Sequence, residues 1–267
     1  MKRRWLRITQ VVLLIYVLLG IALHYFQDKL LFHPVKLPEN HSFNFSQPFK
    51  EINLRVNAAK SISIIQFTVP DSACKGMVLY FHGNKNNIER YAGYAGYFTK
   101  NNYEVWMIDY PGFGKSTGDR TEQALYHDAK LFYELARSRF SKDSIVIYGK
   151  SIGTGVASYL ASVRDARQLI LETPFTNMYS LMANYAFMYP VSWISKYHLP
   201  TDDYLEHVKV PVTIIHGEKD EIIPFKFSRR LKAKYPSINL VSIEKGKHND
   251  LDEYPEFHNT IKAQLSK

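Results

Sequence analysis

The sequence predicts an α/β fold: one mostly parallel, doubly wound sheet with an antiparallel start. Three observations carry this. Short apolar runs alternate with helix-length stretches, in the order of two runs that can pair as a hairpin and then strand–helix repeats. From the third run onward polar alternation disappears, the mark of strands covered on both faces. The chain of 267 residues, 46% of them hydrophobic, suits one such domain with a short appendage and excludes global disorder.

The appendage comes first. From Ile8 to Phe26 the residues are almost all apolar. At about 1.5 Å per residue the run reaches roughly 28 Å, close to the hydrocarbon thickness of a bilayer. A cleaved signal peptide has the same basic start, but no small-x-small site follows Gly20 and the run is long for a signal core. Residues 1–26 are therefore read as an uncleaved transmembrane anchor with a basic leader. Lys2, Arg3, Arg4 and Arg7 precede it, whereas only Lys29 and Lys36 follow as far as Asn44. The positive-inside rule then predicts a single pass, with the N-terminus in the cytoplasm and the large domain on the non-cytoplasmic side. Residues 27–49 are read as a linker whose Leu30, Leu31, Phe32, Phe43 and Phe45 either dip into the interface or pack under the cap. Residues 50–267 form the catalytic domain.

Charge and cysteine usage exclude other classes. The formal net charge is +9, of which the four leader cations leave 9 − 4 = +5 for the rest. Neither a clustered basic face nor a nucleic-acid module is present, so no nucleic-acid partner is expected. Cys74 is the sole cysteine. It excludes an intramolecular disulfide and a cysteine-based zinc site.

Within the domain, Ile52, Leu54 and Val56 alternate as a half-buried strand, and Ile62–Val69 forms the next. Met77–Phe81 runs into His82-Gly83, Val105–Ile108 into Asp109, Ser144–Tyr148 into Gly149 and Leu169–Leu171 into Glu172. Val212–Ile215 then runs into His216-Gly217, and Leu240–Ile243 is the last strand. Helices are expected over 86–100, 121–140, 152–163, 224–234 and 251–266. Residues 175–208 break the alternation. They are dense in aromatics, carry Pro190 and Pro200, and exceed an ordinary connection, so they are read as a helical cap insertion.

Gly149-Lys150-Ser151-Ile152-Gly153 has Gly-x-Ser-x-Gly spacing. At a frequency of about 0.07 per fixed residue, chance supplies this roughly 0.1 times in such a chain, so spacing alone is weak. Its setting is specific: an apolar strand precedes it and a small-residue helix follows, the strand–turn–helix of a nucleophile elbow. A serine hydroxyl needs a base, and the chain order expected here is Ser, acid, His. Asp220 and His248 each follow a strand's C-terminal end, where open α/β sheets bind ligands. Singly, Asp220 reads as a turn residue and His248 as a surface histidine; together, in order, they complete a triad with Ser151. Glu218 and Asp250 are alternatives for the acid. The two oxyanion donors are expected to be the backbone N–H groups of Ile152 and Asn84.

Taken together, Leu31-Phe32-His33-Pro34, His82-Gly83-Asn84, Asp109 to Ser116, Gly149 to Gly153, Glu172-Thr173-Pro174-Phe175, His216 to Asp220 and His248-Asn249-Asp250 resemble the membrane-anchored α/β-hydrolase domain-containing serine hydrolases over nearly the whole chain. The resemblance implies an α/β-hydrolase fold, no metal and no cofactor, and hydrolysis of an ester, thioester or amide at a membrane surface. Lys150 and Lys85 depart from the usual pattern; Lys85 either narrows the pocket mouth or attracts an anionic group. Asp109 is expected to brace the adjacent Gly-rich loop. The leading expectation is a carboxylester or lipid acyl-ester substrate, with Phe175 and Met178 lining an acyl pocket near Ser151. An acyl-protein thioesterase or serine peptidase uses the same triad. A catalytically idle binding protein is disfavoured by the complete residue set. The sequence names no protein partner.

Overall fold

The computed structural model describes residues 2–266. Eight strands form the main sheet: β1 (Phe49–Arg55), β2 (Ser61–Phe67), β3 (Gly76–Phe81), β4 (Tyr103–Ile108), β5 (Ile145–Lys150), β6 (Gln168–Glu172), β7 (Val212–Gly217) and β8 (Asn239–Ile243). Their spatial order is β1-β2-β4-β3-β5-β6-β7-β8. β1 and β2 are antiparallel, β2 meets β4 antiparallel, and every later pairing is parallel. The fold is that of the α/β-hydrolases, as expected.

Side-chain alternation divides the core. Along β3, Met77, Leu79 and Phe81 enter one cluster, and Val78 and Tyr80 enter the other. The first cluster is closed by α4 (Glu122–Arg137), α5 (Gly153–Val163) and α9 (Lys226–Lys234) through Phe132, Val156, Leu160 and Phe227. On the opposite face, α3 (Ala95–Thr99) and α10 (Pro255–Ser266) supply Phe98, Phe257 and Ile261. Thr121 starts α4 by accepting the Ala124 N–H at 3.1 Å.

Most boundaries shift by one to three residues, and three differ more. The helix expected over 86–100 is broken into α2 (Ile88–Tyr91), a 3-10 turn Ala92–Tyr94 and α3, where Gly93 and Gly96 weaken helix continuity. The helix expected over 251–266 begins at Pro255, a residue suited to the first helical position. The N-terminal helix α1 runs over Lys2–Leu31, past Phe26 and into the stretch read as a linker.

The rest of that linker is also packed. Phe32 is buried against Phe113 and Tyr197, with ring centroids 6.3 and 5.1 Å away. His33–Pro34 pairs in parallel with Lys85–Asn86, and Lys36 bridges to Gly114. Phe43, Phe45, Phe49 and Phe67 form an aromatic chain across the sheet's antiparallel end. Apolar burial therefore turns the stretch into an arm wrapped on the domain.

The cap contains α6 (Met178–Ala183), α7 (Val191–Ile194) and α8 (Thr201–His207). Its prolines stand immediately before α7 and α8, so each ends one segment and permits the next. Asn177 caps α6 by accepting the Ser180 N–H at 2.8 Å.

One of the two tightest backbone approaches lies where α5 meets β3. A Cβ on Gly153 would stand 2.2 Å from the Phe81 carbonyl oxygen. Gly153→Ala is expected to destabilise the protein by about 1–3 kcal/mol, since the obstruction is backbone. Thermal melts of the full chain in detergent check this against Gly93→Ala. An added Cβ there meets nothing within 4 Å, so that variant is expected to melt no lower than wild type.

Candidate active site

Ser151 occupies the turn between β5 and α5 with φ of +55°, a left-handed conformation unusual for serine. Its N–H donates to the Glu172 carbonyl at 2.9 Å, and its own carbonyl accepts the Thr154 hydroxyl at 2.6 Å. Gly149 permits the turn, because a Cβ there would stand 2.6 Å from the Gly153 carbonyl oxygen. The strain directs the side chain away from the sheet, toward the loops at the strands' C-terminal ends.

Two of those loops meet it. His248, after β8, has Nε2 at 3.1 Å from Ser151 Oγ and Nδ1 at 2.8 Å from Asp220 Oδ2. These distances fit the tautomer in which Nδ1–H donates to Asp220 and Nε2 accepts the serine proton. Ser151, Asp220 and His248 are all buried. The other two acids do not join them. Glu218 is exposed, and Asp250 accepts the Lys247 N–H at 2.6 Å within its own turn.

Asp220 is held from several sides. Its Oδ1 accepts the N–H groups of Ile222 and Ile223 at 2.8 and 2.7 Å. His216 Nε2 stands 3.2 Å from Oδ2, while its Nδ1 is fixed by Ser228 at 2.6 Å. Burial alone would raise the Asp220 pKa, but the hydrogen bonds from His216 and His248, and then the His248 charge, outweigh it and hold the carboxyl well below the usual range. His216 was visible only as part of a motif. Its role in orienting the acid needs the fold, because β7 and α9 bring it together with Ser228.

On the oxyanion side, the backbone turn at Gly83 lies against the serine: a Cβ there would be 3.6 Å from Ser151 Cβ. Asn84 and Ile152 both border the space in front of Ser151. Among the described residues neither of their N–H groups has a protein acceptor. The Asn84 side chain donates to the Leu31 carbonyl at 2.6 Å, which fastens this loop to the end of α1.

Two recesses flank Ser151. One is an apolar cavity of about 480 Å³, and both Phe175 and Met178 line it. Sequence reasoning missed that Leu23, Leu30 and Leu31 of α1 and Leu181, Met182 and Tyr185 of the cap line it too. In α1 the signal was hidden, because an all-apolar run shows no distinct face. The other recess is a small crevice bordered by Lys85, Arg90, Lys150 and His248. Lys85 is exposed and stands there, not in the apolar cavity. A larger groove of about 590 Å³ near Arg55 and Lys60 borders none of the three triad candidates.

Lys150 is buried. It forms an ion pair with Glu172, which also accepts the Tyr148 hydroxyl, and donates to Tyr94 Oη at 3.0 Å. Burial first, and the Glu172 charge second, raise the pKa values of Tyr80, Tyr94 and Tyr148, keeping these hydroxyls protonated. Asp109 receives the Ile88 N–H at 3.0 Å and faces His82 at 3.2 Å. A Cβ on Gly114 would stand 2.0 Å from Asp109 Oδ2, so the carboxylate sits directly under the Gly-rich loop. Among the described residues no group of His, Cys, Asp and Glu is arranged to hold a metal.

Lys150→Met leaves Glu172 buried without its cation and is expected to cost about 3–5 kcal/mol, with much of the loss recovered in Lys150→Met/Glu172→Gln. Denaturant melts of the single and double variants check it. Asp220 has a depressed folded-state pKa, so its contribution is present above the unfolded value of about 3.9 and lost as pH falls through the lower folded value. Asp220→Asn is therefore expected to lower stability at neutral pH and to flatten its fall below about pH 4, read from melts across pH.

The serine aminopeptidase S33 family model (Hydrolase_4) matches residues 72–201. Protein bem46 of Schizosaccharomyces pombe is 32% identical over 225 residues, covering 78% of this chain and 74% of that protein. Alpha/beta hydrolase domain-containing protein 17C of Xenopus tropicalis is 30% identical, covering 71% of this chain; the match spans 61% of that protein. Protein ABHD12B of Homo sapiens is 29% identical, with 72% of this chain and 60% of that protein covered. The chain thus spans about three fifths of these last two relatives. Among solved structures, the esterase Pf2001 of Pyrococcus furiosus superposes with a TM-score of 0.67 at 19% identity, covering 87% of this chain and 98% of that one, which shows the shared fold. With its strand order, its elbow turn and the extent of the bem46 match in agreement, the chain belongs to the α/β-hydrolase domain-containing family.

Proposed function

We propose that this protein is a serine hydrolase that cleaves carboxylic or lipid acyl esters through an acyl-enzyme intermediate. The observation that carries the reading is the Ser151–His248–Asp220 relay, with contacts of 3.1 and 2.8 Å, opening on an apolar cavity. His248 Nε2 takes the proton as Ser151 Oγ attacks the ester carbonyl. The resulting oxyanion is received by the N–H groups of Ile152 and Asn84. When the tetrahedral species collapses, His248 returns the proton to the leaving alkoxide, and the acyl group stays on Ser151. Water, deprotonated by His248, then attacks the acyl carbon and regenerates Ser151. Asp220 remains ionised, orienting the imidazole and stabilising its charged form.

The cavity favours an acyl chain over a peptide. It is walled mainly by aliphatic and sulfur side chains, and Glu221 is the one carboxylate among its lining residues. An acyl-protein thioesterase or a serine peptidase remains the alternative on the same relay. α1 is long and apolar enough to cross a membrane, and its basic leader supports a cytoplasmic N-terminus with the domain on the other side.

Fluorophosphonate labelling and a panel of p-nitrophenyl esters and aminoacyl p-nitroanilides test this reading. Ser151→Ala is expected to abolish labelling and turnover while melting like wild type. His248→Ala and Asp220→Asn are each expected to lower kcat by about four powers of ten. Rates in the wild type should rise from acetate toward medium chains, as each buried methylene contributes up to about 0.8 kcal/mol. Labelling that survives Ser151→Ala overturns the nucleophile, and faster anilide than ester turnover favours the peptidase. In sealed cells, an externally added protease should cleave the domain; protection would reverse the orientation.

A further inference from the structure

We propose that the lipid's acyl chain enters the site sideways from the bilayer, between α1 and the cap, so that the membrane helix is one wall of the acyl site. This rests on the serine-hydrolase reading above and adds the substrate's source and route.

The apolar cavity joins three parts of the chain. Leu23, Leu30 and Leu31 of α1 form one side, Met182 and Tyr185 of the cap another, and Ser151 lies on the same surface. Residues 23, 30 and 31 share a helix face by their i, i+7, i+8 spacing. An acyl ester on Ser151 therefore has continuous apolar surface running onto a helix suited to lipid.

The cap is locked along that helix. Tyr16 stacks on Tyr189 with centroids 4.6 Å apart, and its hydroxyl donates to the Met188 carbonyl at 2.7 Å. Gly20 lets the Tyr189 ring approach, since a Cβ there would stand 3.3 Å from it. His24 Nδ1 meets the Ile194 carbonyl at 2.7 Å, and Gln27 receives the Lys196 N–H at 2.7 Å. Positions 16, 20, 24 and 27 form one stripe, and Tyr16 to Gln27 spans about 16 Å of helix. The cap thus extends well down a segment that matches the bilayer in length and composition.

Its tip carries the surface such depth requires. Phe187, Met188 and Trp193 are 81, 62 and 85% exposed, and Tyr185 beside the cavity is 60% exposed. Large apolar side chains exposed to this degree within nine residues suit a membrane contact. With the tip set in the leaflet, the gap between cap and α1 faces lipid tails.

The test uses the full chain reconstituted in phosphatidylcholine vesicles. Leu23→Trp and Leu30→Trp fill the helix wall, and Leu14→Trp, on the exposed part of α1 away from the cavity, is the control. The first two are expected to lower the octanoate-to-acetate rate ratio at least tenfold, roughly the value of two buried methylenes, while Leu14→Trp keeps the wild-type ratio. Labelling by a short-chain fluorophosphonate confirms that each variant is folded. A long-chain alkyl fluorophosphonate with a terminal diazirine, bound at Ser151 and photolysed, is expected to crosslink within residues 23–31. Crosslinks confined to other segments, with an unchanged rate ratio in both wall variants, overturn the lateral route. If Ser151→Ala still hydrolyses the esters, the underlying serine-hydrolase reading fails instead.

Discussion

The site depends on a serine held at a positive φ. Such a conformation costs on the order of 1–3 kcal/mol and persists only where its surroundings leave no relaxed alternative. Here Gly149 and Gly153 let α5 lie close on β3 and on β5, and the Ser151 N–H is taken by the neighbouring strand at the Glu172 carbonyl. Lys150 and Glu172 are register partners at the ends of β5 and β6, so their ion pair bolts the two strands together one residue before the turn. Removing the cation would loosen the frame as well as strand a charge. The departure in the motif at Lys150 is thus part of the turn's support. His216 does the corresponding work under Asp220, from the C-terminal end of β7.

Much of this was legible in the sequence because burial on both faces writes itself as unbroken apolar runs. All eight strands of the main sheet were found, and the candidate triad residues were found because each follows such a run. Phe175 and Met178 were legible for the same reason, since Glu172 ends β6 and the chain has little length in which to leave the site. What was less legible was the packing of segments that carry no apolar periodicity of their own. The stretch 27–49 looked like a linker because its aromatics have no periodicity, yet Phe32, Phe43 and Phe45 each find a partner far along the chain. The end of α1 was misplaced because Gln27 and Asp28 read as the boundary of an apolar span. In the fold these polar groups are spent on Lys196 and Tyr197, so the helix continues. Lys85, expected at the pocket mouth, pairs with His33 and borders the polar crevice beside Ser151 and His248.

The stripe of contacts between α1 and the cap has a consequence for how the protein samples its surroundings. A domain on a flexible tether tumbles, and most of its encounters with a surface are misoriented. Here the helix is joined to the domain by ring stacking, by hydrogen bonds and by Asp28 bonded to both Tyr197 and Lys196, which removes the swivel. Set in a bilayer, Ser151 would keep a constant height and heading, and its search would be confined to lateral diffusion in two dimensions. The orientational entropy that a soluble hydrolase gives up at each encounter is surrendered once, during folding. For the hydrolase proposed above, such a mount would also be a depth gauge: with Ser151 presented at one level, chemically equivalent bonds would be told apart by how far each lies from the membrane surface.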